Sequence, residues 1–353
     1  MDSAGQYLAL IDALAGRQVA VVGDVLADEF VYGKVARVSR EAPVLILEYD
    51  STEIVPGGAG NAANNVASLG GRARLAAVVG RDEAATRLLD ALHQGVDRRT
   101  VLRIDGSVTP VKTRILAGGI HSAKQQVVRI DRGVRRPIGP QVRAAFERAA
   151  FRAVSRADAV LVSDYGSGLI GPRFVTRLRA AANQRGPVPV LIDTRYRVLD
   201  YRGLTACTPN ESEVEQALGM KIDDDVRALE RAGREILERT RMQAVLITRG
   251  SRGMALFQPG DATVHIPISG SDEIADVTGA GDTVMATVTL ALAAGATFEQ
   301  AARLANYAGG IVVMKRGTAT VSVDELRSAI AADRSRDAAG DTLHRRRRRG
   351  LRG

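Results

Sequence analysis

Cysteine occurs once, as Cys207, tryptophan is absent, and aromatic residues make up only 4% of the 353-residue chain. A single thiol cannot build an internal disulfide framework, which points to a reducing compartment. No run of about 18 apolar residues occurs, and no basic segment leads into a long apolar one at the N-terminus. The sequence therefore carries neither a membrane span nor a secretory signal, and the cytoplasm is the expected location. The four histidines, His93, His121, His265 and His344, show no His-Glu-x-x-His spacing, and no Gly-x-Ser-x-Gly elbow occurs, so zincin and serine-hydrolase chemistry fall away. A Gly-x4-Gly-Lys-Ser/Thr loop is missing too, so any nucleotide must be held by other means. The sparse aromatics are not interleaved with basic residues, which argues against a single-stranded nucleic-acid platform.

What is present suits one large globular domain, because a chain of this length can bury a sizeable core without staples. The net charge of +9 is uneven: residues 333–353 hold eight Arg and three Asp, leaving only +4 on residues 1–332. Arg345 to Arg349 are consecutive, and the segment has no apolar face to bury. It reads as a disordered, solvated Arg-rich extension, with an anionic surface or nucleic acid as the alternative reading. The body is expected over 1–332.

Apolar runs bounded by Gly, Asp or Arg predict buried strands at Val19–Val22, Leu75–Val79, Ala159–Val162, Val188–Ile192, Ala244–Thr248 and Met254–Phe257. Between them, helical spacing marks Asn61–Leu69, Glu83–His93, Gln141–Val154, Arg173–Gln184, Val226–Glu238, Thr283–Ala293 and Phe298–Met314. This alternation predicts an α/β sandwich around a mostly parallel sheet. Residues 31–55 and 110–131 instead alternate apolar and polar positions, with a hairpin signal at Gly118-Gly119, and predict antiparallel strands projecting as a small lid. A half-buried sheet needs its apolar face covered, so the lid is expected to close a cleft and to contact a second copy of the chain.

The segment Asp276-Val-Thr-Gly-Ala-Gly-Asp282 runs directly into a helix. Its glycines let a ligand approach the backbone, and the helix start offers free amides and the positive dipole end, which suits a phosphate. A carboxylate at Asp282 can take the proton of an attacking hydroxyl; the bland alternative is a helix cap on a tight turn. A second glycine-rich entrance, Gly57-Gly58-Ala-Gly60-Asn61, offers neutral hydrogen bonds suited to sugar hydroxyls. It also formally matches a dinucleotide fingerprint, so an NAD-dependent oxidoreductase is the non-kinase reading, although some 35 residues separate the match from the first strand. Asp24 and Asp28 follow that strand, at the edge where open α/β sheets bind ligands. Asn210-x-x-Glu213 reads either as a capping box or as a grouping able to hold hydrated Mg2+ through Glu213, and the two can coexist.

Gly57-Gly58-Ala-Gly60-Asn61, Asn210-x-x-Glu213 and Asp276-x-Thr-Gly-Ala-Gly-Asp282 resemble, in order and spacing, the ribokinase or PfkB family of carbohydrate kinases over about residues 15–330. The resemblance implies a ribokinase-like three-layer sandwich with a β lid, ATP and Mg2+ as cofactors, and room for a monovalent cation. It implies Asp282 as the base on the acceptor hydroxyl, with the Gly279, Ala280 and Gly281 amides steadying the transferring phosphoryl group. Asn210, Glu213 and Asp276 would organise the metal and phosphates, Thr248, Arg249, Gly250 and Gly253 would line the nucleotide, and Asn306 would lie near the adenine.

Further strings, among them Val-Gly-Asp24-Val-Leu-Ala-Asp28, Lys112-Thr-Arg114, Arg129-Ile-Asp131 and Ser163-Asp164-Tyr165, are similar to the subgroup acting on D-glycero-β-D-manno-heptose 7-phosphate at C1. Asp24, Asp28, Gly57, Gly58 and Asn61 would then hold the sugar, while Lys112, Arg114 and Arg129 make sense as cations for an acceptor that already carries a phosphate. The chain departs from that subgroup at Ser167, where a Lys is usual, and at Thr194-Arg195 in place of Pro-Lys. Another sugar, sugar phosphate or nucleoside is the alternative acceptor, and a catalytically idle sugar-binding regulator is a third reading. No His-x-Gly-His nucleotidyltransferase signature occurs, so adenylyl transfer is not expected of this chain.

Overall fold

The computed structural model describes residues 3–118, 124–133, 138–269 and 276–333. Most of the Arg-rich extension, and the hairpin turn beyond Gly118, lie outside these residues. Helix α1 (Ser3–Leu14) leads into β1 (Gln18–Gly23). The lid follows with β2 (Val25–Val38) and β3 (Leu45–Gly58), then come α2 (Ala59–Ser68), β4 (Arg72–Gly80), α3 (Glu83–Asp90) and β5 (Val96–Ile104). A second lid pair, β6 (Val111–Gly118) and β7 (Gln125–Arg132), precedes α4 (Pro140–Val154), β8 (Ala159–Asp164), α5 (Pro172–Ala182), β9 (Val190–Thr194) and β10 (Ala206–Cys207). The last part holds α6 (Glu211–Leu218), α7 (Val226–Thr240), β11 (Ala244–Thr248), β12 (Met254–Phe257), β13 (Val264–Ile266), α8 (Ala280–Ala293) and α9 (Phe298–Val312), with a further helical stretch over 323–333.

The nine-stranded sheet runs β13-β12-β11-β10-β9-β8-β1-β4-β5. It is parallel from β5 through β11 and antiparallel at β12 and β13. Side chains alternate across it, as the two-residue period of a strand demands. Val19, Val21, Leu161, Ala244 and Leu246 face a layer of α1, α2, α8 and α9. Ala20, Val22, Val160, Val162, Val245 and Ile247 face α4, α5 and α7. Burial on both faces explains why these strands read as unbroken apolar runs.

The lid is ordered β3-β2-β6-β7. The hairpins β2/β3 and β6/β7 are antiparallel as expected, but β2 pairs with β6 in parallel. Periodicity reports which residues share a face, not which strands become neighbours, and β6 reaches β2 only after the chain has passed through β4 and β5. The lid's root is buried at Val25, Ala27 and Phe30, while Val35, Val38, Leu45, Tyr49, Val127, Val128 and Ile130 farther out are exposed.

Candidate active site

Strands β1, β8, β9 and β11 all point their carboxyl ends at one crevice, the usual ligand position of an open α/β sheet. Two cavities lie at that edge. One, of about 380 Å3, is lined by Asn210, Thr248, Gly250, Gly253, Ala280, Gly281 and Asn306, with Met254, Ile268 and Val313 supplying an apolar wall. The other, of about 120 Å3, is polar and is lined by Asp24, Lys112, Arg129, Asp131, Tyr165, Ser167, Arg195 and Tyr196. Hollows elsewhere on the surface, such as the one of about 360 Å3 around Gln18, Arg72 and Arg99, lack this convergence of sequence-marked residues.

Asp282 lies between the two, in the first turn of α8 and only 4% exposed. Gly279 precedes that helix in the left-handed region (φ 80°) and no side chain caps the helix start; the Ala280 amide donates to the Val277 carbonyl at 3.2 Å, which leaves the Gly281 and Asp282 amides of the first turn for a ligand. A Cβ on Gly281 would meet nothing within 4 Å, so this side of the turn is open. Asn61 Nδ2 donates to Asp282 Oδ2 at 3.0 Å and to the Gly279 carbonyl at 3.2 Å, and Tyr165 Oη donates to Asp282 Oδ1 at 3.1 Å. Burial pushes the Asp282 carboxyl up to about 7, against the downward pull of the Asn61 and Tyr165 hydrogen bonds; Asp28 adds to the rise and Lys112 opposes it. A carboxylate tuned near neutrality suits a base working at neutral pH.

Asp24 follows β1 and accepts from Ser167 Oγ at 2.5 Å and from the Tyr165 amide at 2.9 Å. Its carboxyl rises to about 6, chiefly by burial. Asp28 is committed differently: Arg114 forms an ion pair with it, and Thr318 Oγ1 donates to its other oxygen at 3.1 Å. Gly57 leaves room for that carboxylate, since a Cβ there would collide with Asp28 Oδ2. Gly58 sits at φ 59° beside the Asp24 carbonyl and the Tyr165 ring. Lys112 Nζ stands 5.2 Å from the Tyr165 ring centre, and burial lowers its pKa. Arg129 makes two bonds to Asp131, at 2.9 and 3.0 Å.

On the other side, Asn210 and Glu213 form the capping box: Glu213 N donates to Asn210 Oδ1 at 2.9 Å and Asn210 N to Glu213 Oε2 at 3.0 Å. Burial raises the Glu213 carboxyl, and it also raises Asp193, which is pushed well above the carboxylate range with Asp282 and Glu213 adding to the effect. Asn306 Nδ2 is tied to the Pro267 carbonyl at 2.8 Å.

Two nucleotide-side candidates are engaged elsewhere. Arg249 turns to Glu211 at 2.6 Å. Asp276 accepts from Thr278 N at 2.9 Å and Gly317 N at 3.0 Å, bracing the loop before α8. Tyr165 and Thr318 were given no role by sequence reasoning. The string Ser163-Asp164-Tyr165 marked the place, but nothing in it signals a bond to residue 282.

Sheet order, lid and the helix start at Gly279 together define a ribokinase-like sugar-kinase fold. The model of the pfkB family carbohydrate kinases matches residues 17–325, and the chain belongs to that family. Among curated proteins it is similar to the bifunctional protein HldE of Geobacter sulfurreducens, 43% identical over 308 residues that make up 87% of this chain and 61% of that protein. The HldE of Caulobacter vibrioides is 42% identical over 317 residues, covering 89% and 63%. The chain thus spans about three fifths of the length of these relatives. Among solved structures, an Arabidopsis thaliana ribokinase complexed with ribose and ATP superposes with a TM-score of 0.68 at 20% identity, over 90% of this chain and 99% of that one. Phosphofructokinase-2 from Escherichia coli with fructose-6-phosphate gives 0.70 at 17%, over the same shares. No helix among the described residues is long and apolar enough to cross a membrane.

Proposed function

We propose that this protein is an ATP-dependent kinase that phosphorylates a sugar phosphate, with D-glycero-β-D-manno-heptose 7-phosphate, attacked through its C1 hydroxyl to give the 1,7-bisphosphate, as the favoured acceptor. The observation that carries the reading is Asp282, buried between an apolar cavity and a polar one and held by Asn61 and Tyr165. ATP would occupy the cavity of Thr248, Gly253 and Asn306, with its phosphates toward the open start of α8. The acceptor would occupy the cavity of Asp24 and Lys112. The acceptor oxygen attacks the γ-phosphorus, its proton passes to Asp282, and the bond to the ADP oxygen breaks. Developing charge on the phosphoryl oxygens is met by the first-turn amides of α8.

Mg2+ fits the donor chemistry near Glu213: a hard carboxylate held at the helix start by Asn210 and close enough to Asp193 to raise its pKa. When bound there it supplies charge neutralisation for the phosphates. The exposed apolar residues of the lid favour a homodimer through that sheet, and the single, buried, free Cys207 favours work in the reducing cytoplasm. Gly60, the central glycine of the formal dinucleotide match, is packed against Pro56 and Val25. That leaves no room for a pyrophosphate and disfavours the oxidoreductase reading.

The test is ADP release from ATP with Mg2+ on heptose 7-phosphate, fructose phosphates, fructose, ribose and nucleosides. Asp282→Asn is expected to retain ATP binding and to lose about 10²–10⁴-fold in turnover. Near-normal turnover in that variant would remove Asp282 as the base, and turnover confined to another acceptor would overturn the heptose assignment.

A further inference from the structure

Four cations surround the acceptor side, and they are of two kinds. Arg114 is paired with Asp28, and Arg129 is paired with Asp131 through two hydrogen bonds. Lys112 and Arg195 both line the acceptor cavity, and among the described residues neither makes an ion pair. Each rests instead on an aromatic ring of the same cavity: Lys112 Nζ lies 5.2 Å from the Tyr165 centre, and the Arg195 guanidinium 5.9 Å from that of Tyr196. They are close enough that Arg195 adds to the burial that lowers the Lys112 pKa. Asp28 and Asp131 pull the Lys112 pKa the other way, but neither forms an ion pair with it among the described residues, and two cations facing one small cavity repel each other until a dianion placed there reverses the sign of that interaction.

The backbone beneath Arg195 is fixed. Its amide donates to the Asp164 carbonyl at 3.2 Å, and the Asp164 carboxylate is held by Tyr201 Oη at 2.6 Å and Thr194 Oγ1 at 3.0 Å. Arg195 is also near enough to Asp193 and Glu213 to pull both carboxyls downward.

We propose that Lys112 and Arg195 form the subsite for the phosphate the acceptor already carries, with Arg114 and Arg129 acting as struts that hold the lid carboxylates. The inference rests on the kinase reading and deepens it: the acceptor is a phosphorylated sugar whose phosphate lies on the Tyr196 side of the cavity. A planar guanidinium grips two phosphate oxygens at once, and the ammonium adds a point charge.

The test compares heptose 7-phosphate with the unphosphorylated heptose on the full chain. Arg195→Gln is expected to lower the ratio of kcat/KM for the phosphorylated over the unphosphorylated acceptor by about 10- to 100-fold, mainly through KM. Arg195→Lys should recover part of it, and Arg129→Gln should lower the ratio less than Arg195→Gln does. An equal fall in kcat on both acceptors would overturn the proposal and place Arg195 on the transferring phosphoryl group, as would a larger effect from Arg129. Calorimetric binding of heptose 7-phosphate is measured alongside. If the unmodified protein binds it but turns over neither sugar, the kinase reading fails while weaker binding by Arg195→Gln still upholds the subsite. If the unmodified protein does not bind it, the subsite is overturned.

Discussion

Two helices open on nearly the same four residues: Gly58-Ala59-Gly60-Asn61 begins α2 and Gly279-Ala280-Gly281-Asp282 begins α8. Each starts from a glycine with positive φ, 59° and 80°, and neither start is capped by a side chain. Their polar residues both occupy the third helical position, and they meet in the 3.0 Å bond from Asn61 to Asp282. The surroundings of the middle glycine differ. A Cβ on Gly60 would lie 2.8 Å from Pro56 Cβ and 3.0 Å from Val25 Cγ1, whereas one on Gly281 meets open space beside the larger cavity. One turn is sealed against the lid root and contributes an amide; the other faces the larger cavity and contributes a carboxylate. The role of such a turn is therefore set by what packs against it, and not by the glycines it contains.

The sharpest way to break this contrast is to exchange the two polar residues. The double variant Asn61→Asp with Asp282→Asn keeps an amide and a carboxylate in contact but moves the carboxylate to the sealed turn. Turnover is expected to stay about 10²–10⁴-fold below the unmodified protein in steady-state assays. Recovery to near-normal rates would show the turns to be interchangeable.

The glycines themselves come next. Gly60→Ala is expected to destabilise the fold by about 1–3 kcal/mol through overpacking, read from denaturant unfolding. Gly281→Ala should leave the fold unharmed, or up to about 1 kcal/mol more stable, because alanine favours the helix. It should instead weaken ATP by about tenfold, or about 1.4 kcal/mol. An unchanged KM for ATP would detach the open turn from the nucleotide.

A smaller effect separates the two donors on Asp282 from the base itself. Activity requires the ionised carboxylate, so the rate should rise with pH through about 7 and level off above it. Tyr165→Phe removes a hydrogen bond that favours the charged form. The acidic limb of the pH profile should then move upward by about half to one unit, and an unmoved limb would deny Tyr165 any part in tuning the base.

The smallest expected change is in stability. The Asp282 carboxyl sits near 7 in the fold against 3.8 ordinarily, so the native state binds its proton more tightly than the unfolded chain does. Its contribution is fully present below about pH 4 and is lost as pH rises through 7. Asp282→Asn should therefore raise Tm by a few degrees at pH 8, with the gain vanishing toward pH 4 in calorimetric scans.

The α/β body was legible because its signals are local. The burial of Val160 and Val162 on one face and Leu161 on the other makes an apolar run that no polar residue interrupts. The helix start at Asp282 was legible for the same reason, since glycines, carboxylate and helix lie within seven residues. The acceptor side was less so. The Arg114 to Asp28 pair depends on the parallel register of β2 with β6, which joins segments more than 80 residues apart. The bond from Tyr165 to Asp282 joins the end of β8 to the start of α8 across 117 residues, a closure invisible to periodicity. Helix α1 and strands β5 and β13 were not anticipated from the apolar pattern. β5 carries Asp97, Arg98, Arg99 and Arg103 at the sheet edge, and β13 is three residues long.

Cys207 is 1% exposed, and burial drives its thiol pKa far upward, so a maleimide has no ready target on the native body. A cysteine introduced at Val38, which is 58% exposed, becomes the single labelling position. It stands at the far end of β2, a strand that spans roughly 40 Å and carries Asp28 near its other end. A dye or spin label there would report lid movement from outside the crevice, leaving every residue that touches the reactants unmodified.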